Sequence, residues 1–184
     1  MTPPASSDPA LAGALAATIR DVPDFPKRGI LFKDITPVLH DAALFARCCR
    51  ALAAPFLGER ITHVCAIESR GFLFGAPVAI ELGAALVPLR KPGKLPYTTV
   101  RESYALEYGT DALEIHADAL GAGARVLIVD DLLATGGTAG AAVRLVERLG
   151  GAVVGVGVAV TLDFLPWRAA LRDRRVEALV SFQE

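Results

Sequence analysis

The segment 125–138 restricts the possible folds more than any other part of this 184-residue chain. It opens with Arg125–Val129, an almost purely aliphatic and β-branched run that is typical of a strand buried on both faces. Two adjacent carboxylates follow, Asp130 and Asp131, and the segment closes with Thr135-Gly-Gly-Thr138. Both faces of such a strand must be covered, so the segment favours a sheet that lies between layers of helices.

The rest of the chain repeats this alternation of apolar strand-like runs with helix-like segments. Strands are predicted over residues 61–67, 85–89, 125–129, 152–162 and 176–182, with a further short strand over 113–117. Helices are predicted over residues 9–20, 42–57, 72–82 and 139–149. Asp41 precedes the second helix and is a suitable N-cap. This order predicts an α/β fold with a central, mostly parallel sheet flanked by helices.

The remaining segments are irregular in pattern. Residues 1–8 are rich in Pro and Ser and are expected to form a disordered tail, so that residues 9–184 form a single domain. Residues 24–34 contain Pro and Gly and are predicted to be a loop with a short extended piece. Residues 91–109, rich in Lys, Pro, Tyr and Gly, are predicted to form a long loop or a mobile hairpin.

Composition excludes several classes of protein. The net charge is −1 and 53% of the residues are hydrophobic, so the chain is globular and no nucleic-acid partner is expected. No apolar run reaches the roughly 20 residues of a membrane span, and no basic residue precedes the apolar stretch 9–19, so a cytoplasmic protein without a membrane partner is expected. The three cysteines are expected to be reduced, and the histidines lack zinc-ligand spacing.

The residues after the central strand favour a particular ligand. In a parallel α/β sheet, ligands bind beyond the carboxyl ends of the strands, where Asp130 and Asp131 stand. Thr135-Gly-Gly-Thr138 leads into a helix N-terminus, whose free N–H groups favour an anion. Paired carboxylates beside a phosphate site suit a ribose 5-phosphate, whereas a capped helix without a ligand would leave the carboxylates unexplained. A Walker-type phosphate loop is absent, and Gly155-Val-Gly157 lies inside a predicted strand and does not open a helix.

Residues 126–138 resemble the 5-phosphoribosyl 1-diphosphate (PRPP) signature of type I phosphoribosyltransferases. Four further stretches narrow the resemblance: Phe25-Pro with Gly29-Ile-Leu-Phe-Lys-Asp-Ile35, Glu68-Ser-Arg-Gly-Phe-Leu-Phe-Gly75, Arg90-Lys-Pro-Gly-Lys-Leu-Pro96 and Ser103-Tyr-Ala-Leu-Glu-Tyr-Gly109. Together they are similar to the adenine phosphoribosyltransferase family from about residue 20 to residue 165. The resemblance implies a small N-terminal hood over about 20–38 and a mobile lid loop over about 91–110.

The resemblance also implies a reaction and its partners. Adenine and PRPP would give AMP and pyrophosphate, and Mg²⁺ would enter through PRPP rather than through direct protein ligands. Relatives in this family form homodimers. The reacting ribose carbon passes through a cationic, oxocarbenium-like state, so the enzyme must fix the sugar, stabilise the leaving pyrophosphate and position the base.

The resemblance assigns each binding and catalytic role of the family to the matching residues of this sequence. The ribose and 5′-phosphate would be bound by Asp130, Asp131, Ala134, Thr135, Gly136, Gly137 and Thr138. The pyrophosphate would be bound by Ser69, Arg70, Arg90, Lys91, Lys94 and Tyr108, and the resemblance implies a cis peptide bond between Glu68 and Ser69. The base would be bound by Leu31, Phe32 and Lys33, and Glu107 in the lid would be the catalytic residue.

Two alternatives remain open at this point. Main-chain groups would read the base, so residue chemistry alone does not separate adenine from xanthine, guanine or orotate. A PRPP-sensing regulator is the other alternative, although it would normally add a DNA-binding module or a basic face.

Overall fold

The computed structural model describes residues 8–105, 109–172 and 174–183. Within these ranges the α-helices are α1 (Pro9–Thr18), α2 (Thr36–His40), α3 (Ala42–Ala53), α4 (Gly71–Leu82), α5 (Gly137–Arg148) and α6 (Trp167–Leu171). The strands are β1 (Arg20–Pro23), β2 (Leu31–Asp34), β3 (His63–Ile67), β4 (Ala85–Leu89), β5 (Thr99–Ala105), β6 (Thr110–His116), β7 (Arg125–Leu133), β8 (Ala152–Leu162) and β9 (Val176–Phe182).

The predicted α/β architecture is confirmed. Five parallel strands form the central sheet in the order β4-β3-β7-β8-β9. The chain builds outward from β3 to β4 in one direction and from β7 through β8 to β9 in the other. The order therefore reverses between β3 and β7, and such a switch point opens a crevice at the carboxyl ends of the strands.

Side chains of β7 alternate between two apolar layers, which explains why this strand is aliphatic throughout. Val126 and Ile128 pack in the layer that contains α5 and α6. Leu127 and Val129 pack in the opposite layer, which contains α1, α3 and α4. All four side chains are fully buried, so the sheet is covered on both faces as the sequence predicted.

Residues 24–34, predicted to be a loop with a short extended piece, contain a loop followed by β2, as predicted, whereas β1 just before them was not predicted. β1 and β2 pair as an antiparallel hairpin in which Val22 lies opposite Phe32. The Lys33 ammonium bonds Asp21 at 2.8 Å and lies 4.4 Å from the centre of the Phe182 ring in β9. This hairpin lies within the segment that the resemblance identifies as the hood, and the Lys33 side chain attaches it to the last strand of the sheet.

Residues 91–109 were predicted to be a long loop or a mobile hairpin, with a separate short strand over 113–117. The structure has a hairpin with other bounds, because β5 lies in the first segment but its partner β6 runs from Thr110 to His116 and includes most of the predicted short strand. β5 and β6 pair antiparallel over their full lengths, from Thr99 opposite His116 to Ala105 opposite Thr110. Glu102 of β5 accepts hydrogen bonds from Arg144 and Arg148 of α5. The hairpin is therefore attached to the helix that follows the acidic strand.

Some predicted boundaries were wrong. Asp8, which was assigned to the disordered tail, caps α1 by accepting a hydrogen bond from the N–H of Leu11 at 3.0 Å. The central strand does not end at Val129 but continues to Leu133. Two short helices, α2 and α6, were not predicted. The predicted cap Asp41 is confirmed, because its carboxylate accepts from the N–H groups of Ala43 and Leu44.

The three cysteines are free and buried. Burial raises the pKa of Cys48 to about 11 and that of Cys49 and Cys65 to about 12, so these thiols stay protonated at neutral pH. None of the helices in the described ranges combines the length and apolar character that crossing a bilayer requires.

Candidate active site

The two aspartates stand beyond the end of the neighbouring strand. Pairing of β3 with β7 ends at Ala66 opposite Val129, whereas β7 continues beside β8 as far as Leu133 opposite Thr161. Asp130 and Asp131 therefore lie in the part of β7 that pairs with β8 on one side but no longer pairs with β3 on the other. This step in the sheet forms the floor of the crevice at the switch point.

Arg70 and Asp131 join the ends of β3 and β7. The Arg70 Nε atom donates to Asp131 Oδ2 at 2.5 Å, and Asp131 is only 4% exposed. Arg70 lies in the turn after β3, where the peptide bond between Glu68 and Ser69 is cis, as the resemblance implies. The turn thus places a guanidinium beside a carboxylate at the crevice floor.

Asp130 has a different environment from its neighbour. The N–H of Asp131 donates to Asp130 Oδ1 at 2.9 Å, and the backbone of Gly71 lies against the same carboxylate. Burial raises the pKa of Asp130 well above its usual value, and the adjacent charge of Asp131 adds to the effect. The pair therefore combines an acid that holds its proton unusually well with a carboxylate that is paired to Arg70.

A small cleft of about 90 Å³ lies at the N-terminus of α5. Its lining includes Thr135, Gly136, Gly137 and Thr138, together with Ala134, the first residue after β7. Gly136 precedes the helix with φ of +83°, a left-handed conformation that glycine adopts without a steric penalty. Unpaired N–H groups of the first helical turn, together with the helix dipole, make this cleft suitable for a phosphate.

A larger cleft of about 490 Å³ adjoins the small one. The two share Asp130, Leu132, Ala134 and Thr138. The other residues that line the larger cleft are Ile30, Leu31, Phe32, Lys33, Ile67, Glu68, Ser69, Arg70, Lys91, Asp131, Leu162 and Leu165. The hood, the turn after β3 and the acidic end of β7 therefore face one space.

The hood contributes an aromatic surface to this cleft. Phe32 packs edge-on against Phe25 with ring centres 5.0 Å apart, and the Arg70 guanidinium lies 5.5 Å from the Phe32 ring centre. The Lys33 side chain points to Asp21 and Phe182, so the part of Lys33 that remains for ligand recognition is its main chain.

The three basic residues after β4 are placed differently from one another. Lys91 lines the larger cleft, whereas Arg90 donates from Nε to Glu68 at 3.1 Å and from Nη1 to the carbonyl of Lys94 at 3.1 Å. Glu68 also accepts from the Lys91 N–H at 2.8 Å. Burial alone would raise the pKa of Glu68, but the bonds from Lys91 and Arg90 lower it, so Glu68 stays ionised and joins the two loops.

Two predicted site residues, Glu107 and Tyr108, lie outside the described residues. The sequence interpretation also missed Leu162, the last residue of β8, and Leu165 shortly after it, both of which line the larger cleft. The carboxyl end of β8 lies at the same edge as that of β7, and this common edge is the signal that could have identified them. The sequence interpretation also missed Asp111, whose carboxylate accepts a hydrogen bond from the Lys91 ammonium, because this contact joins residues 20 positions apart and has no local sequence signal.

Comparison with known proteins gives one consistent result. Residues 38–172 match the family described as phosphoribosyl transferase domain. An adenine phosphoribosyltransferase of Myxococcus xanthus is 55% identical over 179 residues, which cover 97% of each chain. The structure of adenine phosphoribosyltransferase from Thermoanaerobacter pseudethanolicus has a TM-score of 0.90 and 51% identity, covering 93% of this chain and 99% of that one.

A third similar protein is adenine phosphoribosyltransferase of Saccharomyces cerevisiae, solved in complex with adenine and D-2,5-dideoxy-2,5-imino-altritol 1,6-bisphosphate. It has a TM-score of 0.88 and 39% identity, covering 92% of this chain and 98% of that one. Fold and site thus define a phosphoribosyltransferase. Within that class, the chain belongs to the adenine phosphoribosyltransferase family.

Proposed function

We propose that this enzyme transfers the 5-phosphoribosyl group of PRPP to adenine in purine salvage. A bond forms between adenine N9 and the ribose C1′, the bond from C1′ to the pyrophosphate oxygen breaks, and the N9 proton is lost, giving AMP and pyrophosphate. The observation that carries the proposal is the meeting of the acidic end of β7, the anion site at α5 and the turn after β3 around one cleft.

The sugar phosphate fits the acidic end of this cleft. The 5′-phosphate would occupy the small cleft, where main-chain N–H groups of residues 135–138 and the hydroxyls of Thr135 and Thr138 can donate to it. The ribose hydroxyls would then reach Asp130 and Asp131. A negatively charged carboxylate beside the ring also favours the cationic, oxocarbenium-like transition state, and Asp131 is the better candidate for this role because burial raises the pKa of Asp130.

The leaving pyrophosphate would lie towards the turn after β3. Ser69 and Arg70 line this side of the cleft, and Lys91 lies across from them. We propose that Arg90 and Lys94 strengthen the same positive field from the loop after β4. With a net charge of −1, the chain has no general attraction for anions, so local cations must supply it.

Mg²⁺ is proposed to arrive with PRPP. Within the described ranges, no cluster of three or more His, Cys, Asp or Glu side chains that could hold a metal occurs. Mg²⁺ usually keeps several water ligands beside substrate phosphates, so PRPP would supply its direct ligands and the carboxyl groups of Asp130 and Asp131 would contact the ion through water. The ion would neutralise charge on the leaving pyrophosphate.

Adenine is proposed to bind under the hood. Phe32 offers a ring for stacking, and the main-chain groups of Leu31 and Lys33 can read the edge of the base. The yeast relative was solved with adenine and a five-membered imino sugar that carries a phosphate at each end. Adenine suits the apolar, aromatic part of the cleft under the hood. The imino sugar bisphosphate suits the part that favours anions. Glu107 is proposed to stabilise or accept the proton of the reacting base.

A panel of free bases tests this proposal. The purified protein is incubated with PRPP and Mg²⁺ and one of adenine, hypoxanthine, guanine, xanthine or orotate, and nucleotide formation is followed by chromatography. We expect adenine to be consumed far faster than any other base. A different preferred base would reject adenine specificity, and the absence of any nucleotide product would reject the transferase.

We also propose that the enzyme acts in the cytoplasm as a homodimer. Three large apolar side chains on α4 and the adjoining β4 remain exposed: Leu73 by 45%, Ile80 by 82% and Leu86 by 44%. Leu73 and Ile80 are two helical turns apart on one face, and β4 is the edge strand beside them. Sedimentation should give twice the mass of the chain, and Ile80→Glu should shift the protein towards monomer, whereas Glu81→Gln on the same helix should not.

A further inference from the structure

Lys91 belongs to a polar cluster at the edge of the larger cleft. Its ammonium donates to the Tyr104 hydroxyl at 2.8 Å and to the carboxylate of Asp111. The Tyr104 hydroxyl in turn donates to Asp111 Oδ2 at 3.2 Å. Lys91 therefore lines the cleft, and its ammonium is bonded to two residues that do not line it.

The cluster is built from the antiparallel hairpin. Tyr104 of β5 and Asp111 of β6 lie directly opposite each other, so their side chains share one face of the hairpin. Tyr104 is only 6% exposed and packs in the main apolar core, which fixes the position of its hydroxyl. The carboxylate of Asp111 accepts a further bond from the N–H of Ala112 at 2.7 Å. Both partners of Lys91 are thus held by rigid structure.

This arrangement leaves the ammonium available to a ligand. A lysine ammonium has three N–H donors, and the bonds to Tyr104 and Asp111 use two of them. Burial alone would lower the pKa of Lys91, but the hydrogen bonds with Asp111 and Tyr104 outweigh it and raise the pKa, so the charge is kept. A free lysine side chain loses rotamer entropy when a ligand fixes it, and part of that cost is removed when the group is held in place beforehand.

We propose that Asp111 and Tyr104 are positioning residues that hold the Lys91 ammonium where the pyrophosphate of PRPP binds. This inference rests on the proposed function, since it takes the cations after β3 and β4 as the pyrophosphate site. It adds a specific consequence. Disturbing the cluster weakens ligands that contain pyrophosphate and leaves AMP unaffected, because AMP occupies only the ribose-phosphate and base parts of the cleft.

Calorimetry with the intact protein tests the proposal. Mg²⁺-PRPP, Mg²⁺-pyrophosphate and AMP are titrated into the wild type, Asp111→Asn and Tyr104→Phe. We expect Asp111→Asn to raise the Kd of PRPP and pyrophosphate about tenfold, as for loss of one charge-assisted hydrogen bond, and to change the Kd of AMP less than twofold. Tyr104→Phe keeps the ring and should have a smaller effect in the same direction.

A double-mutant cycle separates positioning from general damage. Lys91→Met should weaken PRPP strongly, and adding Asp111→Asn to it should cause no further loss, because no ammonium remains to be positioned. Asp118→Asn, an exposed aspartate in the turn after β6, is the matched control and should bind all three ligands as the wild type does.

The possible failures are distinguishable. Wild type that binds no PRPP would overturn the proposed function and this inference with it. If the wild type binds PRPP, three results for Asp111→Asn would overturn the inference alone. An unchanged Kd of PRPP would show that Asp111 has no role in binding, and an equal rise in the Kd of AMP would show a general structural role. A lower Kd of PRPP would show that Asp111 competes with the ligand for the Lys91 ammonium.

Discussion

The main chain of Gly71 lies directly against the carboxylate of Asp130. A Cβ atom at position 71 would lie 2.8 Å from Asp130 Oδ1 and 3.0 Å from the carbonyl oxygen of Val129. Both are closer than carbon and oxygen normally approach. The start of α4 can therefore pack against the acidic end of β7 only because residue 71 has no side chain, and this contact sets the spacing between the two halves of the site.

Gly71→Ala should consequently damage the site and the fold together. The added methyl group must push Arg70 and α4 away from Asp130, and overpacking of this kind costs roughly 1–3 kcal/mol of unfolding free energy. We expect kcat/KM for PRPP to fall at least tenfold, measured beside denaturant unfolding. Gly13→Ala in α1, where a Cβ would meet nothing within 4 Å, is the control and should be neutral or stabilising. Normal activity in Gly71→Ala would show that the spacing is unimportant.

Gly136→Ala tests the proposed 5′-phosphate site. The residue has φ of +83°, and its Cβ would lie 2.9 Å from the carbonyl oxygen of Trp167 in α6. The loop must move to relieve this clash, so we expect weaker binding of both PRPP and AMP, since both contain the 5′-phosphate. Gly123→Ala is a matched control, because Gly123 also has a positive φ, +77°, but no atom within 4 Å of its Cβ position. If both variants bind AMP as tightly as the wild type does, the small cleft at the N-terminus of α5 is not the 5′-phosphate site.

Asp130→Asn should change the pH dependence of stability. The folded state raises the pKa of Asp130, chiefly through burial, so Asp130 contributes most stability below its unfolded-state pKa. That contribution is lost as the pH rises from about 4 through the raised folded-state pKa. An asparagine avoids the buried charge, so its stability relative to the wild type should increase with pH over this window. Thermal unfolding at a series of pH values measures the difference, and a constant difference would contradict the assignment.

Glu107→Ala tests the lid carboxylate that the sequence resemblance identifies. We expect kcat to fall on the order of 10²-fold or more while the Kd of PRPP stays nearly unchanged, because the proposed role concerns the reacting base. Stopped-flow or steady-state kinetics together with PRPP titration separate the two effects. Glu81→Ala, on the exposed side of α4, is the control. Turnover within about threefold of the wild type would remove Glu107 from the mechanism.

Much of the fold followed from local pattern. The aliphatic run before Asp130 predicted a strand buried on both faces, and the structure places its alternate residues in two separate cores. A second apolar run predicted β4 with the bounds that the structure has, residues 85 and 89. Asp41 predicted the start of α3. These predictions succeed because they depend on periodicity and capping, which neighbouring residues determine.

Short elements could not be predicted in this way. The hood hairpin has only four residues in each strand and is attached to the sheet by Lys33, whose partner Phe182 is near the other end of the chain. Helix α6 has five residues and is held by Trp167, which is buried and donates from its indole N–H to Asp163. Such elements are stabilised by distant contacts rather than by their own propensity.

The sequence by itself determined the acidic strand end, the Gly-rich start of α5 and the order of strands and helices around them, because these are properties of contiguous residues. Only the tertiary structure decided that Arg70 pairs with Asp131 and that Lys91 is held by Tyr104 and Asp111. Those contacts join residues between 13 and 61 positions apart, so they exist only after the parallel sheet and the hairpin have brought separate loops to one edge.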